Sequence, residues 1–202
     1  MERHTLKDLL EPESIAVVGA SPDSRYSGDM IENLLEYGLD GTLYPVNPNR
    51  DEAFDRKCFD SLSDLPESPD LAVVSIPREH VVETVEEAGK EGIEAVLVIT
   101  AGFSESDERG KELEKKLQEV AEDEGIALSG PNTIGFANAS DSVTASAICS
   151  REPREGSISL LSQSGALAFA TFFDRAKDRD VDFSKIIATG NETGLSMTDY
   201  VD

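Results

Sequence analysis

The sequence predicts an α/β protein: a doubly wound parallel sheet, followed by the opening of a second α/β unit. Short β-branched apolar runs alternate with segments whose apolar residues recur every three or four positions. The runs are apolar throughout, which is the pattern of strands buried on both faces of a parallel sheet with helical crossovers. Length sets the extent, since 202 residues, 39% of them apolar, suffice for one large domain, or for one domain and part of another.

In chain order, the N-terminal stretch "MERHTLKDLLEPES" shows no signal-peptide core, and no element is expected before the first strand. "SIAVVGA" (14–20) is that strand, and a helix follows with Met30, Ile31, Leu34 and Leu35 on one face. "GTLYPV" (41–46) reads as the second strand, while residues 50–68 are irregular and receive no element. "LAVVSI" (71–76) leads to a helix facing inward through Val81, Val82, Val85 and Ala88. "EAVLVIT" (94–100) leads to one carrying Leu113, Leu117, Val120 and Ala121, and "GIALSG" (125–130) closes the series.

The pattern loosens over 138–156. "SISLLSQSG" (157–165) then restarts it as strand, turn and helix, with Leu167, Ala170 and Phe173 on the helix's inner face. "KIIATGNETG" (185–194) reads as another strand and loop, and "LSMTDYVD" as the start of a helix. Two strands do not make a stable domain. The expected division is one complete domain over 1–145 and the first part of a second over 146–202.

Charge narrows the function classes. Acidic residues number 41 against 18 basic, a net charge of −23. Such a chain is a poor ligand for nucleic acid or an anionic membrane. The excess fits either a protein adapted to a salty cytoplasm, where self-repulsion is screened, or an ordinary acidic surface. Stretches such as "SESDERGKELEKK" read as solvated faces. No apolar run approaches a membrane span, so the protein reads as soluble and cytoplasmic. Cys58 and Cys149 stand alone, and no spacing suggests a metal site.

Ligands of a doubly wound sheet bind beyond the carboxyl ends of its strands. Those ends read "GASPDSRYSG" (19–28), "PVNPNR" (45–50), "SIPREH" (75–80), "TAGFSE" (100–105) and "GPNTIG" (130–135). All five carry turn residues, as loops do anyway; together they suggest a binding rim. A dinucleotide fingerprint is missing. Gly19 is followed by Ala20 and Ser21, the next glycine is Gly28, and strand two ends in Val46 and Asn47 without an acid. NAD is therefore not expected. The helix beginning near Ser27 still offers free N–H groups to a phosphate. Arg25 either adds charge there or is simply an exposed loop residue.

The ordered set "VVGAS", "YPVNPN", "SIP", "ITAGF" and "GPNTIG" resembles the CoA-binding domain of NDP-forming acyl-CoA synthetases, including ADP-forming acetyl-CoA synthetase and, more distantly, the succinyl-CoA synthetase α subunit. The resemblance runs from about Ser14 to Asp202. It implies a Rossmann-like CoA-binding domain and the beginning of a flavodoxin-like second domain. It implies the reversible conversion of acyl-CoA, ADP and phosphate to acid, ATP and CoA through a phosphohistidine.

Position by position, the resemblance implies that Gly19, Ala20 and Ser21 cradle the CoA phosphates, and that Pro45, Asn47 and Pro48 line the nucleotide end. Ser75, Ile76 and Pro77 would flank the adenosine or pantetheine, Thr100, Ala101 and Gly102 would follow the pantetheine arm, and Asn132 would lie near the thiol. The alternative for the Gly-Pro-Asn corner is a rigid exit turn between domains. Relatives often carry Lys after "VNP"; here Asn49 stands there, with Arg50 next as a possible substitute.

"SLLSQSGAL" (159–167) brings Ser162, Gln163, Ser164 and Gly165 to a helix start, either as an anion pocket or as ordinary N-capping. By resemblance this is the phosphate-binding helix, with Gly190 and Asn191 near the same site. His4 and His80 are the two histidines, and neither matches the phosphohistidine motif. No catalytic residue is therefore assigned. The resemblance implies that nucleotide is handled by an ATP-grasp region or subunit outside these residues. Two readings stay open: part of such a synthetase, favoured by the stop inside a helical pattern, or a CoA-binding regulatory module without ligase chemistry.

Overall fold

The computed structural model describes residues 3–37 and 39–201. In chain order it begins with α1 (Arg3–Leu10), β1 (Ser14–Val18), α2 (Ser27–Glu36) and β2 (Thr42–Val46). A two-stranded hairpin follows, β3 (Glu52–Ala53) with β4 (Arg56–Lys57). Then come β5 (Leu71–Val74), α3 (Arg78–Lys90), β6 (Ala95–Val98), α4 (Glu108–Glu124) and β7 (Ala127–Ser129).

The five predicted strands pair in the order β2-β1-β5-β6-β7, all parallel. Successive side chains face opposite sides of a strand. Ile15, Val17, Leu71, Val73 and Leu97 are accordingly buried with Leu9 of α1 and Met30, Ile31 and Leu34 of α2. Ala16, Val18, Val74, Val96 and Val98 pack with Val81, Val85 and Ala88 of α3 and Leu117 and Ala121 of α4. Each fully buried Val, Leu or Ile contributes about 1.5–3 kcal/mol, which explains why both faces are apolar in sequence. No helix among the described residues is long and apolar enough to cross a membrane.

Several elements differ from the sequence reading. The N-terminal stretch forms α1, because Leu6, Leu9 and Leu10 make an apolar stripe against the sheet. His4 falls in α1, but its side chain lies outside the described residues. Leu35 is 38% exposed, so the inner stripe of α2 is narrower than its apolar pattern suggests. The irregular 50–68 stretch contains the β3–β4 hairpin and a 3-10 turn, Leu62–Asp64.

Residues 138–156 also hold more structure than expected. β8 (Gly135–Asn138) and β9 (Val143–Ser146) join β10 (Ile158–Ser162) and β11 (Phe183–Ala188) in a four-stranded sheet ordered β10-β11-β8-β9. β10 and β11 are parallel and the other pairs antiparallel. The helix after β10 is π-wound over Ala166–Phe173 and runs into α5 (Asp174–Ala176). The wider winding changes its inner face: Ala168, Phe169 and Phe173 are buried, whereas Leu167 is exposed.

The two sheets are bound together. Asn33 of α2 donates to Ser146 O of β9 at 2.9 Å, and Asn138 of β8 to Leu10 O at 2.9 Å. Residues after β11 return along β7, where Asn191 N–H donates to Pro131 O (2.9 Å), Thr193 N–H to Gly130 O (3.1 Å) and Leu195 N–H to Leu128 O (2.8 Å). Tyr200 adds a hydrogen bond from its hydroxyl to Ser129 Oγ at 2.9 Å.

Candidate functional site

Strand order reverses between β1 and β5, the point at which a doubly wound sheet opens a crevice. There the loop after β1 presses against the end of β5, and a Cβ on Gly19 would stand 2.2 Å from Ser75 O. The N–H groups of Gly19 and Ala20 both donate to Val46 O, at 2.9 and 3.3 Å. Asn47 Nδ2 donates to Ala20 O at 2.8 Å. Arg50 donates to Ser21 Oγ at 3.0 Å and pairs with Asp23. The first turn is thus closed on the end of β2 rather than left as an open amide cradle. What it offers a ligand is the Ser21 hydroxyl held by the Arg50 guanidinium.

Pro45 is buried within β2, paired with Val17. That strand lies at the sheet's edge, where the missing N–H is tolerated. Arg25 and Pro48 are exposed on their loops.

Beyond β5, β6 and β7 lies a cleft of about 410 Å³. It is lined by Ser24 and Tyr26 from the loop after β1, Ser75, Ile76 and Pro77 after β5, Thr100 and Ala101 after β6, and Asn132, Thr133 and Ile134 after β7. Thr100 Oγ1 donates to Ile76 O at 2.7 Å and accepts from Ile76 N–H at 3.2 Å, tying two strand ends together. Gly102 sits just outside. Its carbonyl accepts from Arg78, which also holds Asp107 at 3.1 Å. The Gly110 N–H and Arg78 keep the Asp107 carboxyl below its ordinary value. The cleft alternates isoleucines and proline with hydroxyl and amide groups, which suits a slender chain of methylenes and amides.

The Gly130–Pro131 peptide is cis, and Asn132 has φ 59°, in the left-handed region that asparagine tolerates. The Asn132 N–H donates to Thr100 O at 3.0 Å. Its side chain then reaches a second cavity, of about 610 Å³, which Asn132 and Ile134 share with the first. Gln163, Ser164, Gly165, Gly190 and Asn191 line this second cavity from the four-stranded side, and Ser104 and Glu105 from the other. The N–H groups of Gly165 and Ala166, at the helix start, carry no hydrogen bond among the described residues. Ser162 does not line the cavity, because its hydroxyl closes the turn by bonding to Ser164 O and Ser164 N–H.

Asn191 ties the two sides. Its Nδ2 donates to Glu105 Oε2 at 2.7 Å and Glu114 Oε2 at 2.8 Å, and its Oδ1 accepts from Asn132 Nδ2 at 3.1 Å. Glu105 also accepts from the N–H groups of Gly102 and Phe103, and Glu114 from Ser104 N–H. Burial pushes the Glu105 carboxyl up. The hydrogen bonds from Asn191 and from backbone N–H groups outweigh it and hold the carboxyl below the usual range.

The structure therefore brings together Ser75, Pro77, Thr100, Ala101 and Asn132 around one cavity, and Gln163, Ser164, Gly165, Gly190 and Asn191 around its neighbour. Gly19, Ala20, Ser21, Arg25, Pro45, Asn47, Pro48, Gly102 and Ser162 stand outside both linings. Glu105 and Glu114, which also stand at this site, lie in "SESDERGKELEKK", where their sequence gives no sign of a role beyond a solvated face. His80 is exposed in the first turn of α3. Among the described residues no cluster of His, Cys, Asp or Glu is arranged to hold a metal ion.

Comparison with known proteins gives a consistent picture. Residues 13–139 match the CoA binding domain family, and residues 155–202 match the succinyl-CoA ligase like flavodoxin domain. The chain is 37% identical over 195 residues to the alpha subunit of acetate–CoA ligase [ADP-forming] II of Pyrococcus furiosus, covering 96% of this chain and 42% of that protein. It is 38% identical over 194 residues to the 4-hydroxybutyrate–CoA ligase [ADP-forming] of Nitrosopumilus maritimus, covering 96% and 28%. A solved structure of the dinucleotide-forming acetyl-coenzyme A synthetase 1 of Ca. Korarchaeum cryptofilum, in complex with phosphate and ADP, superimposes with a TM-score of 0.90 at 36% identity, covering 98% of this chain and 42% of that one. The chain spans less than half the length of each of these proteins.

Proposed function

The chain belongs to the CoA binding domain family, and on that premise we propose that it is the CoA-holding region of an ADP-forming acyl-CoA synthetase. The reaction is the reversible conversion of acyl-CoA, ADP and phosphate to acid, ATP and CoA. An ATP-grasp region or subunit outside these residues handles the nucleotide. The observation that carries this reading is the shared wall: Asn132 and Ile134 line both cavities, so the end of a chain lying in one meets whatever the other holds.

In this reading the pantetheine arm of CoA lies along Ser75, Pro77, Thr100 and Ala101, and its thiol reaches Asn132. The first turn, through Ser21 and Arg50, meets the phosphates; Arg50 takes the part of the usual lysine. The neighbouring cavity takes phosphate or a phosphoryl group at the free N–H groups of Gly165 and Ala166, with Ser164 beside them. The fit rests on the slender mixed-polarity cleft and on those unpaired donors. The acidic excess fits a protein working in a salt-rich cytoplasm, where its self-repulsion is screened.

Titration calorimetry in molar KCl tests the reading. CoA binds with a measurable affinity and NAD does not, because the turn after β1 lacks the dinucleotide fingerprint. Tighter binding of NAD than of CoA overturns it. Asn132→Ala weakens CoA binding while the fold, followed by circular dichroism, is kept.

A further inference from the structure

The side-chain amides of Asn191 and Asn132 form a chain whose direction is fixed at one end. Two carboxylates, Glu105 and Glu114, stand 2.7 and 2.8 Å from one terminal atom of Asn191. An ionised carboxylate only accepts hydrogen bonds, so that atom is the NH2 group. The opposite atom of Asn191 is then the carbonyl oxygen, and it faces Asn132 at 3.1 Å. A carbonyl oxygen requires a donor, so Asn132 presents its own NH2 there. The remaining atom, Asn132 Oδ1, carries no hydrogen bond among the described residues and belongs to a side chain that lines both cavities.

From this polarity relay we infer that Glu105 and Glu114, acting through Asn191, are positioning residues that hold Asn132 with its carbonyl oxygen toward the ligand, so that the site recognises the CoA sulfur as a protonated thiol. This inference rests on the CoA reading above. A thiol is a weak donor and a thiolate only accepts. Were Asn132 reversed, its NH2 would favour the thiolate instead. The carboxylates are in turn held in place by backbone N–H groups of the loop after β6, from Gly102, Phe103 and Ser104. The relay therefore begins on the first sheet, crosses to the loop after β11, and returns to the corner after β7.

Desulfo-CoA, which carries hydrogen in place of the thiol, isolates the contact. Calorimetry on the 202-residue chain compares it with CoA. The unmodified chain binds CoA about threefold more tightly, the size expected for one weak hydrogen bond. In E105Q/E114Q, the carboxamide at position 105 keeps its oxygen on the Gly102 and Phe103 N–H groups and turns its NH2 toward Asn191, while the one at position 114 keeps its oxygen on Ser104 N–H and Asn191. The orientation of the two asparagines is no longer imposed, and the preference falls while desulfo-CoA affinity stays within about twofold. Adding Asn132→Asp to that double variant restores the preference, because either carboxylate oxygen accepts.

Should E105Q/E114Q fail to fold, Asn191→Leu removes the same constraint on Asn132 and lowers the preference as well. An undiminished preference in folded E105Q/E114Q or Asn191→Leu overturns the relay. So does an equal loss of both ligands, which marks the carboxylates as merely structural. Failure of the unmodified chain to bind either ligand refutes the CoA reading itself, a distinct result.

Discussion

Gly190→Ala tests whether the corner at Pro131–Asn132 is seated against the loop after β11. Gly190 has φ +66°, and a Cβ there would stand 2.3 Å from Pro131 O and 3.0 Å from Asn132 C and O. Contacts of that kind cannot be relieved by turning a side chain, since all three atoms are backbone. The left-handed conformation alone costs an alanine about 1 kcal/mol. Forcing the two loops apart adds about 1–3 kcal/mol, the range for overpacking. Gly125 supplies the control: it ends α4 with φ +71° and has nothing within 4 Å of its Cβ position. Gly125→Ala therefore shows the conformational cost alone, a drop in Tm of about 2–4 °C for a chain of this size. Gly190→Ala loses at least about twice as much. It also weakens CoA binding, because Asn132 moves with the corner. Thermal melts by circular dichroism with calorimetry of CoA binding measure both effects. Equal Tm losses in the two variants refute the reasoning.

Three other predictions follow from the same geometry. Arg50→Ala weakens CoA binding about tenfold but leaves binding of pantetheine, which lacks the phosphates, nearly unchanged; an equal loss for both ligands removes Arg50 from the phosphate contact. Asp107 has its folded pKa held below the unfolded value, so its stabilising contribution is present above about 3.8 and is lost as pH falls through the lower folded value. The Tm gap between the unmodified chain and Asp107→Asn therefore narrows as pH falls below about 3.8, and a constant gap contradicts the assignment. Finally, Tm rises between dilute buffer and molar KCl, as screening relieves the repulsion behind a net charge of −23; a flat profile removes the salt-adapted reading.

The first sheet was legible because its strands are apolar on both faces, a property that Ile15, Ala16, Val17 and Val18 show without any partner in view. β8 and β9 were not, because they are built largely from small or polar residues. Asn138, Thr144 and Ser146 are buried there, and Asn138 and Ser146 find hydrogen-bond partners on α1 and α2 that no local pattern announces. Leu167 misled for a different reason: a π-wound turn rotates the inner face away from the positions an α-helical count selects. Ser75, Thr100 and Asn132, each in a strand-end loop, line one cleft because strand order brings their ends together. Glu105 and Glu114 look in sequence like any other acids of a charged helix and its approach. Only the return of Asn191 from a strand far along the chain sets them apart.

The return of residues 191–195 along β7 has a consequence for biosynthesis. β7 is an edge strand of the first sheet, and its outer carbonyls gain their partners only when Thr193 and Leu195 arrive. Roughly 65 residues separate the two, so at about 5–20 residues per second the edge stays bare for about 3–13 s after β7 is made. A bare edge invites pairing with the same edge of a neighbouring nascent chain, the first step of aggregation. Mutual repulsion between strongly acidic chains is the protection available during that interval.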